Sequence, residues 1–291
     1  MTGWPTMSLE ARDMLKLDHV GICSSDFDAL HRAFSAAGLA ADPDGLHVSR
    51  TGRQAHIGFD DRTYIELAGP GTGGSAQGSP WSALISGDAG PCYWFVHTAD
   101  IGREVTRLND VGIAVTQPRE GGRTTRDGHP VRWASSVPGS AVPGTVLPLI
   151  IEDRTPRDLR IAPSNALAAS SLGGVGRVVL AVGDLDASVA MFRRAYNLAA
   201  PRRATHREFG RLAYFPGSPI ILANSTSGWV GERVRKHGDG PVAYLLTARD
   251  FGAARKRFAL SRPQTLASHR VAWFDPQALH GVRLGVIGGD R

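Results

Sequence analysis

Cysteine, lysine and long apolar runs are all scarce in this chain, and each scarcity removes a class of function. Cysteine occurs twice, at Cys23 and Cys92. Two thiols with no CxxC pair make no disulfide framework. Both stand in apolar, strand-like runs, where a free cysteine serves as a small core residue. Lysine is confined to Lys16, Lys236 and Lys256, so arginine supplies most of the positive side of a formal net charge of +6. The arginines are scattered, and the densest basic run, Arg233 to His237, is short. A nucleic-acid interface needs a clustered basic face, and no nucleic acid is expected as a partner. No run of about 18 apolar residues appears, so no membrane-spanning helix is expected. The opening segment, Met1 to Asp13, carries Glu10 and Asp13 and lacks a basic start followed by an apolar stretch, unlike a signal peptide. A cytoplasmic location is therefore expected. There is no Gly-rich phosphate loop, no Ser-His-Asp arrangement and no nucleotide fingerprint; Gly121-Gly122 and Gly173-Gly174 are lone pairs of the kind found in turns.

What is present is enough apolar sequence for two packed cores. The 291 residues are 42% hydrophobic and 21% charged, which argues for two ordinary domains and against disorder. An internal repeat organises them. Leu17 to Ala29 aligns without gaps with Val175 to Ala187: each is an apolar strand, a small polar turn and then an aspartate, Asp26 or Asp184, suited to cap a helix. Helical spacing follows at Phe27, Leu30 and Phe34, and at Leu185, Val189 and Phe192, and Gly38 stops the first helix. Gly90 to Asp100 matches Gly240 to Asp250 in the same way, with helices expected through Val105 and Leu108 and through Ala254 and Phe258. Two or three short β-like runs follow each helix: near His47, Ala55 to Phe59 and Thr63 to Ala68; Val131 to Val137 and Val146 to Glu152; Arg211 to Phe215 and Pro219 to Ala223; His269 to Phe274 and Val282 to Ile287. The chain reads β-α-β-β-β four times. One such module cannot bury the concave face of its small sheet, and pairing two closes a cleft. The expected fold class is α+β, with paired domains over residues 14–153 and 173–289 joined by a linker at 154–172. Gly69 to Ser79 joins the first two modules.

The run Leu17-Asp18-His19-Val20, the Asp26 turn into a helix, and Tyr64-Ile65-Glu66-Leu67 closing the first module resemble the vicinal oxygen chelate superfamily, and within it the glyoxalase-like group. The resemblance implies four βαβββ modules paired into two domains of the glyoxalase, bleomycin-resistance and dioxygenase type. It also implies a divalent metal in the cleft of a paired module, held by His, Gln or Glu from the first and last strands of each module, and a small-molecule substrate bound through neighbouring oxygens. Reactions in the superfamily include isomerisation, epimerisation, extradiol dioxygenation and thiol transfer, and some members sequester drugs without metal. Fold alone does not choose among them.

The repeat supplies an internal control on where a site would lie. His19 shares a strand face with Gly21 and Cys23, and Glu66 stands inside an apolar run where an unpartnered carboxylate is expensive to bury. His19 and Glu66 are the expected metal ligands, with ordinary core histidine and an arginine ion pair as their structural alternatives. His97 and Glu152, at comparable places in module two, are the expected catalytic pair. Tyr93, Phe95, His56 and Trp133 are expected to contact substrate, although Trp133 suits ordinary core equally well. The ligand types are compatible with Zn, Fe, Mn, Ni or Co. In the second half the aligned positions are Arg177, Ile221, Thr247 and Gly288, which cannot replace that set. The expected activity is a metal-dependent lyase or isomerase acting on a small oxygenated metabolite through an enediolate-like anion, in the N-terminal half. The alternatives are metal-free sequestration and extradiol dioxygenation. A monomer or homodimer is expected.

Overall fold

The computed structural model describes residues 15–42, 46–48, 52–139, 146–168 and 170–288. Met1 to Asp13 and the outer bounds 14 and 289 of the two expected domains lie outside them. The strands are β1 (Leu17–Cys23), β2 (Leu46–Val48), β3 (Arg53–Gly58), β4 (Tyr64–Gly69), β5 (Gly90–His97), β6 (Arg119–Thr124), β7 (Pro130–Ser136) and β8 (Leu149–Asp153), then β9 (Leu172–Ala181), β10 (Arg202–His206), β11 (Gly210–Tyr214), β12 (Ile220–Asn224), β13 (Gly240–Ala248), β14 (Gln264–Leu266), β15 (His269–Trp273) and β16 (Leu284–Gly288). The helices are α1 (Phe27–Ala36), α2 (Ser82–Ser86), α3 (Ile101–Asp110), α4 (Arg157–Arg160), α5 (Leu185–Tyr196), α6 (Gly228–His237) and α7 (Phe251–Arg257).

Each module turns from its first strand into its helix through an aspartate. Asp26, Asp100, Asp184 and Asp250 accept from the amides of Ala29, Arg103, Ala187 and Ala253, each at 2.9 Å. A short carboxylate there satisfies a free amide of the first helical turn and complements the positive end of the helix. The same local chemistry, repeated four times, gives the same supersecondary unit four times.

The modules pair as the repeat implies. The first sheet runs β2-β3-β4-β1-β5-β8-β7-β6 and the second β10-β11-β12-β9-β13-β16-β15-β14. In the first, β1 pairs in parallel with β4 and antiparallel with β5. In the second, β9 pairs in parallel with β12 and antiparallel with β13. The outermost strands β2, β6, β10 and β14 are each the second strand of a module. Of these, only β2 is legible in the sequence. Such strands have one neighbour to pair with, and β6 and β10 alternate exposed with half-buried residues, so they carry little of the apolar run that marks an inner strand. The helices α2, α4 and α6 are likewise unmarked.

One continuous core runs through both halves, from Val20, Ile22, Phe34 and Trp94 to Val178, Leu180, Phe192, Tyr244 and Leu246. Each sheet has, in addition, a cluster on its inner face. The second is apolar throughout, with Val179, Ile221, Leu245, Val271 and Ile287 in contact. The first contains Cys23, Tyr93, Phe95, Leu149 and Ile151, with Trp81 and Trp133 packed against it.

Tyr244 joins the halves with more than apolar contact. Its hydroxyl lies 2.8 Å from the carbonyl oxygens of Gly21 and Tyr93 and accepts from the Cys92 amide at 3.2 Å. The pairing of β1 with β5 shifts register beside Gly21, and the hydroxyl satisfies backbone groups that the irregular ladder leaves without regular partners. Removing it leaves buried polar groups unpaired, which costs about 1–3 kcal/mol. Tyr244→Phe is expected to lower unfolding free energy by about that amount in chemical denaturation, and an unchanged midpoint would show that the hydroxyl does not hold the halves together.

Candidate functional site

Residues paired directly across neighbouring strands point to the same side of a sheet. On the first rung of the inner face, His19 of β1 lies between Tyr64 of β4 and Phe95 of β5. The imidazole is stacked between the two rings, with centroids 4.4 Å and 4.1 Å away. On the second rung, Gly21 lies between Glu66 and Tyr93. Only glycine permits this rung, because a Cβ at position 21 would stand 2.0 Å from the Tyr93 ring. The ring crosses the bare backbone, stacks on Trp81 at 4.0 Å, and donates its hydroxyl hydrogen to Glu66. From β3, opposite Glu66, His56 Nε2 reaches the carboxylate at 3.0 Å and Gln54 donates to it at 3.1 Å. His56 and His47 pack with ring centroids 4.8 Å apart, and His56 Nδ1 and His47 Nε2 are buried without hydrogen-bond partners.

Behind His19 stands a charged network. Asp18 is wholly buried, and its Oδ1 is 2.6 Å from His19 Nδ1. Arg160, from the segment expected to be a plain linker, donates to both oxygens of Asp18 at 2.9 Å and 2.7 Å and to the Tyr64 hydroxyl at 2.9 Å. Arg157 donates to Asp18 as well. Asp153, at the end of β8, pairs with Arg160 and faces His97 Nε2 at 3.4 Å.

The charges follow from these partners. Burial alone would raise the Asp18 carboxyl, but its hydrogen bond from His19 and the Arg160 guanidinium hold it well below the usual carboxylate range. An ionised Asp18 cannot donate, so His19 Nδ1 carries the proton and Nε2 keeps the lone pair. Burial pulls the His19 imidazole below 6.5, although Asp18 draws it the other way, so the ring is neutral at pH 7. Burial would also raise Glu66, but its hydrogen bond to His56, first, and the Tyr93 hydroxyl bring it down to about 2.

The inner face therefore brings together five of the expected site residues: His19, Glu66, His56, Tyr93 and Phe95. Trp133 packs against the rim of the same cluster. His97 sits apart from His19 and Glu66, at the edge of the charged network. Glu152 lies on the opposite face of its strand, where it accepts from the Ile101 amide at 2.8 Å, at the start of α3, and pairs with Arg154. The register explains the displacement. Gly21 stands beside Glu66, and its repeat counterpart Phe95 stands beside Leu149, so Leu149 occupies the place in module two that Glu66 has in module one. Asp18, Arg160 and Trp81 are the site groups that the sequence reading lacks. Asp18 carries a signal, a carboxylate inside an apolar strand, whereas nothing local marks Arg160.

As placed, the donor set does not fit a metal ion. Glu66 commits both oxygens to three donors, and His97 and Glu152 are engaged elsewhere, so only His19 Nε2 of the expected set keeps a lone pair for an ion. Among the described residues no three His, Cys, Asp or Glu side chains are grouped to hold an ion. A catalytic centre of the zinc type takes three protein ligands and an open position.

The glyoxalase-like domain family matches residues 17–175. The chain belongs to that family. The match covers the first sheet and the segment bearing Arg160, and it stops within β9. No curated protein sequence matches the chain. Solved structures share its architecture: a hypothetical protein from Staphylococcus aureus has a TM-score of 0.57 at 11% identity, over 94% of this chain and 99% of that one. A mutant of 4-hydroxymandelate synthase from Streptomyces coelicolor reaches 0.61 at 11% identity, over 95% and 93%. A fusion of a xylose isomerase-like TIM barrel with 4-hydroxyphenylpyruvate dioxygenase reaches 0.60 at 12% identity, over 98% of this chain and 49% of that one. At these identities the likeness is one of fold: the glyoxalase-like chain has the paired-module architecture of the vicinal oxygen chelate superfamily across both halves. Among its described residues no helix is long and apolar enough to cross a membrane.

The burial of His47 sets a pH dependence. Burial first, then the His56 ring and Arg123, pull its imidazole down to about 3 from 6.5. Between those values the unfolded chain binds a proton that the folded chain refuses, so stability falls as pH drops through the window. Glu66 adds a further loss between 4.5 and about 2. The melting temperature is expected to fall on acidification below pH 6.5, and to fall less steeply in His47→Gln. Superimposable acid limbs for the two proteins would remove His47 as a cause.

Proposed function

We propose that the inner face of the N-terminal sheet is an acid–base site that binds a small oxygenated metabolite and moves a proton on it, in the manner of an isomerase or lyase. The Asp18–His19 pair carries the reading. An imidazole held neutral by burial, with a carboxylate on Nδ1, has Nε2 available as a general base, and the carboxylate stabilises the imidazolium that forms. Arg160 keeps Asp18 ionised throughout. Tyr64 and Phe95 fix the plane of the ring, so the direction in which Nε2 acts is set before substrate arrives. The acidic hydrogen of a carbon next to a carbonyl is the kind of proton such a base takes.

Glu66 serves a different purpose. Its carboxylate orients His56 through Nε2, which leaves Nδ1 of that ring to accept from a hydroxyl of the substrate. Tyr93 and Phe95 supply an apolar wall. No step is routed through a metal, because Glu66, the carboxylate ligand that the family resemblance implies, is committed to Gln54, His56 and Tyr93.

A second reading, metal-free sequestration, is favoured by the aromatic character of the same face, where Trp81, Tyr93 and Phe95 pack together. The two separate in one experiment: exchange of carbon-bound hydrogen for deuterium in small 2-hydroxy and 2-oxo compounds, followed by NMR before and after chelator treatment. We expect exchange that survives the chelator and falls by about 10²–10⁴ in His19→Gln. Exchange abolished by chelator and restored by one metal would overturn the metal-free mechanism. Tight binding of an aromatic compound with no exchange would establish sequestration in its place.

A further inference from the structure

The two ends of the first sheet's strand order, β2 and β6, approach each other across its cleft, and β6 brings an arginine there. Along β6 the half-buried positions are Gly121 and Arg123, set between exposed neighbours. Gly121 pairs with Trp133 and Arg123 with Val131. Trp133 packs against the inner-face cluster, so Arg123 stands on the inner face as well. Gly121 is bare because a Cβ there would stand 2.5 Å from the Trp133 indole nitrogen. The Arg123 guanidinium donates through Nη2 to the Arg160 carbonyl at 2.7 Å. The side chain of that same Arg160 meets Asp18 and the Tyr64 hydroxyl, and Tyr64 stacks on His19. The charge of Arg123 is also felt by His47 of β2 and interacts with Glu66 of β4. The sheet therefore curls until the edge of module two faces module one.

Taking this cleft as the substrate site proposed above, we infer that Arg123 anchors a carboxylate of the substrate, which makes the substrate a small 2-hydroxy or 2-oxo acid and not a neutral carbonyl compound. The partners of each charge decide this. Asp18 and Asp153 are answered by Arg157 and Arg160, and Glu66 by Gln54, His56 and Tyr93. Arg123 makes no ion pair among the described residues, and its hydrogen bond goes to an uncharged carbonyl. Burial lowers its pKa from 12.5, with Tyr64 and Glu66 opposing and Arg160 assisting, yet a guanidinium keeps its proton at neutral pH. A half-buried charge without a counter-ion in contact is costly, and a bound anion offsets that cost. The rest of the planar fork remains to meet a carboxylate through two parallel bonds. A cation there also offsets the negative charge that builds up as the neighbouring carbon gives its proton to a base. The second half supplies a control. Val131 and Val271 each lie two residues before a tryptophan, and β14 places Gln264 opposite Val271 as β6 places Arg123 opposite Val131. A neutral side chain holds the position in the half where apolar core fills the middle of the cleft.

The test uses the full chain and measures binding apart from turnover. Lactate, pyruvate and malonate are titrated by calorimetry at constant ionic strength. Lactamide and pyruvamide serve as uncharged counterparts of the first two, methyl phosphate as a rival oxyanion and chloride as the control. Saturable binding of at least one acid is expected, with lactate or pyruvate bound about tenfold or more tighter than its amide. Arg123→Gln should weaken the acid about tenfold or more, and Arg123→Lys should recover part of the loss. His19→Gln should bind the acid as the wild-type protein does. Arg123-dependent binding without any proton exchange would therefore defeat the role given to His19 while supporting the anchor. Should Arg123→Gln fail to fold, phenylglyoxal modification of the wild-type protein with peptide mapping replaces it, and the bound acid should protect Arg123 selectively. Heats no larger than those of chloride, acids and amides bound alike, methyl phosphate bound more tightly than every acid, unchanged affinity in a well-folded Arg123→Gln protein, or an unprotected Arg123 would each overturn the assignment.

Discussion

A carboxylate in the middle of a buried sheet face is costly unless its oxygens are met by donors, and the N-terminal half is arranged around that cost. Glu66 is 7% exposed. Its partners come from two different strands, because a β-sheet face delivers side chains only at fixed rungs. Tyr93 reaches it from β5 across Gly21, and His56 and Gln54 reach it from β3. The requirement propagates outward. Position 21 must lack a side chain, Tyr93 must be tyrosine to fill the gap and donate, and Trp81 must cover Tyr93. A polar group in an apolar setting thus specifies the sequence of its neighbours more narrowly than apolar packing does, since volume can be made up in many ways and a donor cannot.

The two halves form a natural comparison. They share strand order, helix caps and a central antiparallel pair, so differences between their inner faces arise from side chains alone. In the first, the central rungs carry His19, Glu66, Tyr93 and Phe95. In the second, Val179, Ile221 and Leu245 close the middle of the cleft into ordinary core. Open space survives in the second half on either side of that core, in a cavity of about 510 Å³ beside Phe209 and Trp273 and a smaller one of about 230 Å³ beside Tyr214. Duplicating a module gives two clefts, but the chemistry of each is decided at a few rungs.

Most of the fold was legible because it rests on local signals that recur. The aspartate caps, the apolar opening strands and the closing strands all have short-range signatures, and their repetition gave the module. Three of the four outermost strands were not legible, since strands with one partner need no apolar run. The site was legible as far as alternation carries. His19, Glu66, Tyr93, Phe95 and His56 converge as the strand periodicity implies. Glu152 does not, because a single residue of offset moves a side chain to the other face, and the end of β8 cannot be placed to that accuracy from an apolar run. The commitment of Glu66 to its neighbours was also hidden, since Gln54, His56 and Tyr93 meet it only through the pairing of β3, β4, β1 and β5.

Arg160 is the deepest of the hidden determinants. It lies in what reads as a Pro- and Ser-containing connection, yet its guanidinium is buried against Asp18, Asp153 and the Tyr64 hydroxyl, 142 residues along the chain from Asp18. A buried ion pair contributes little net stability against an apolar replacement, but loss of one partner leaves a charge stranded in the interior at a cost of about 3–5 kcal/mol. Without Arg160, Asp18 would be such a charge, and His19 would lose the group that fixes its tautomer. The family match runs on through residue 175, well past the last strand of the first sheet at Asp153. The matched range thus includes α4, which supplies the guanidinium paired with Asp18. A segment that looks like a tether therefore holds the carboxylate that orients the His19 imidazole, and under the proposed function that makes it part of the site.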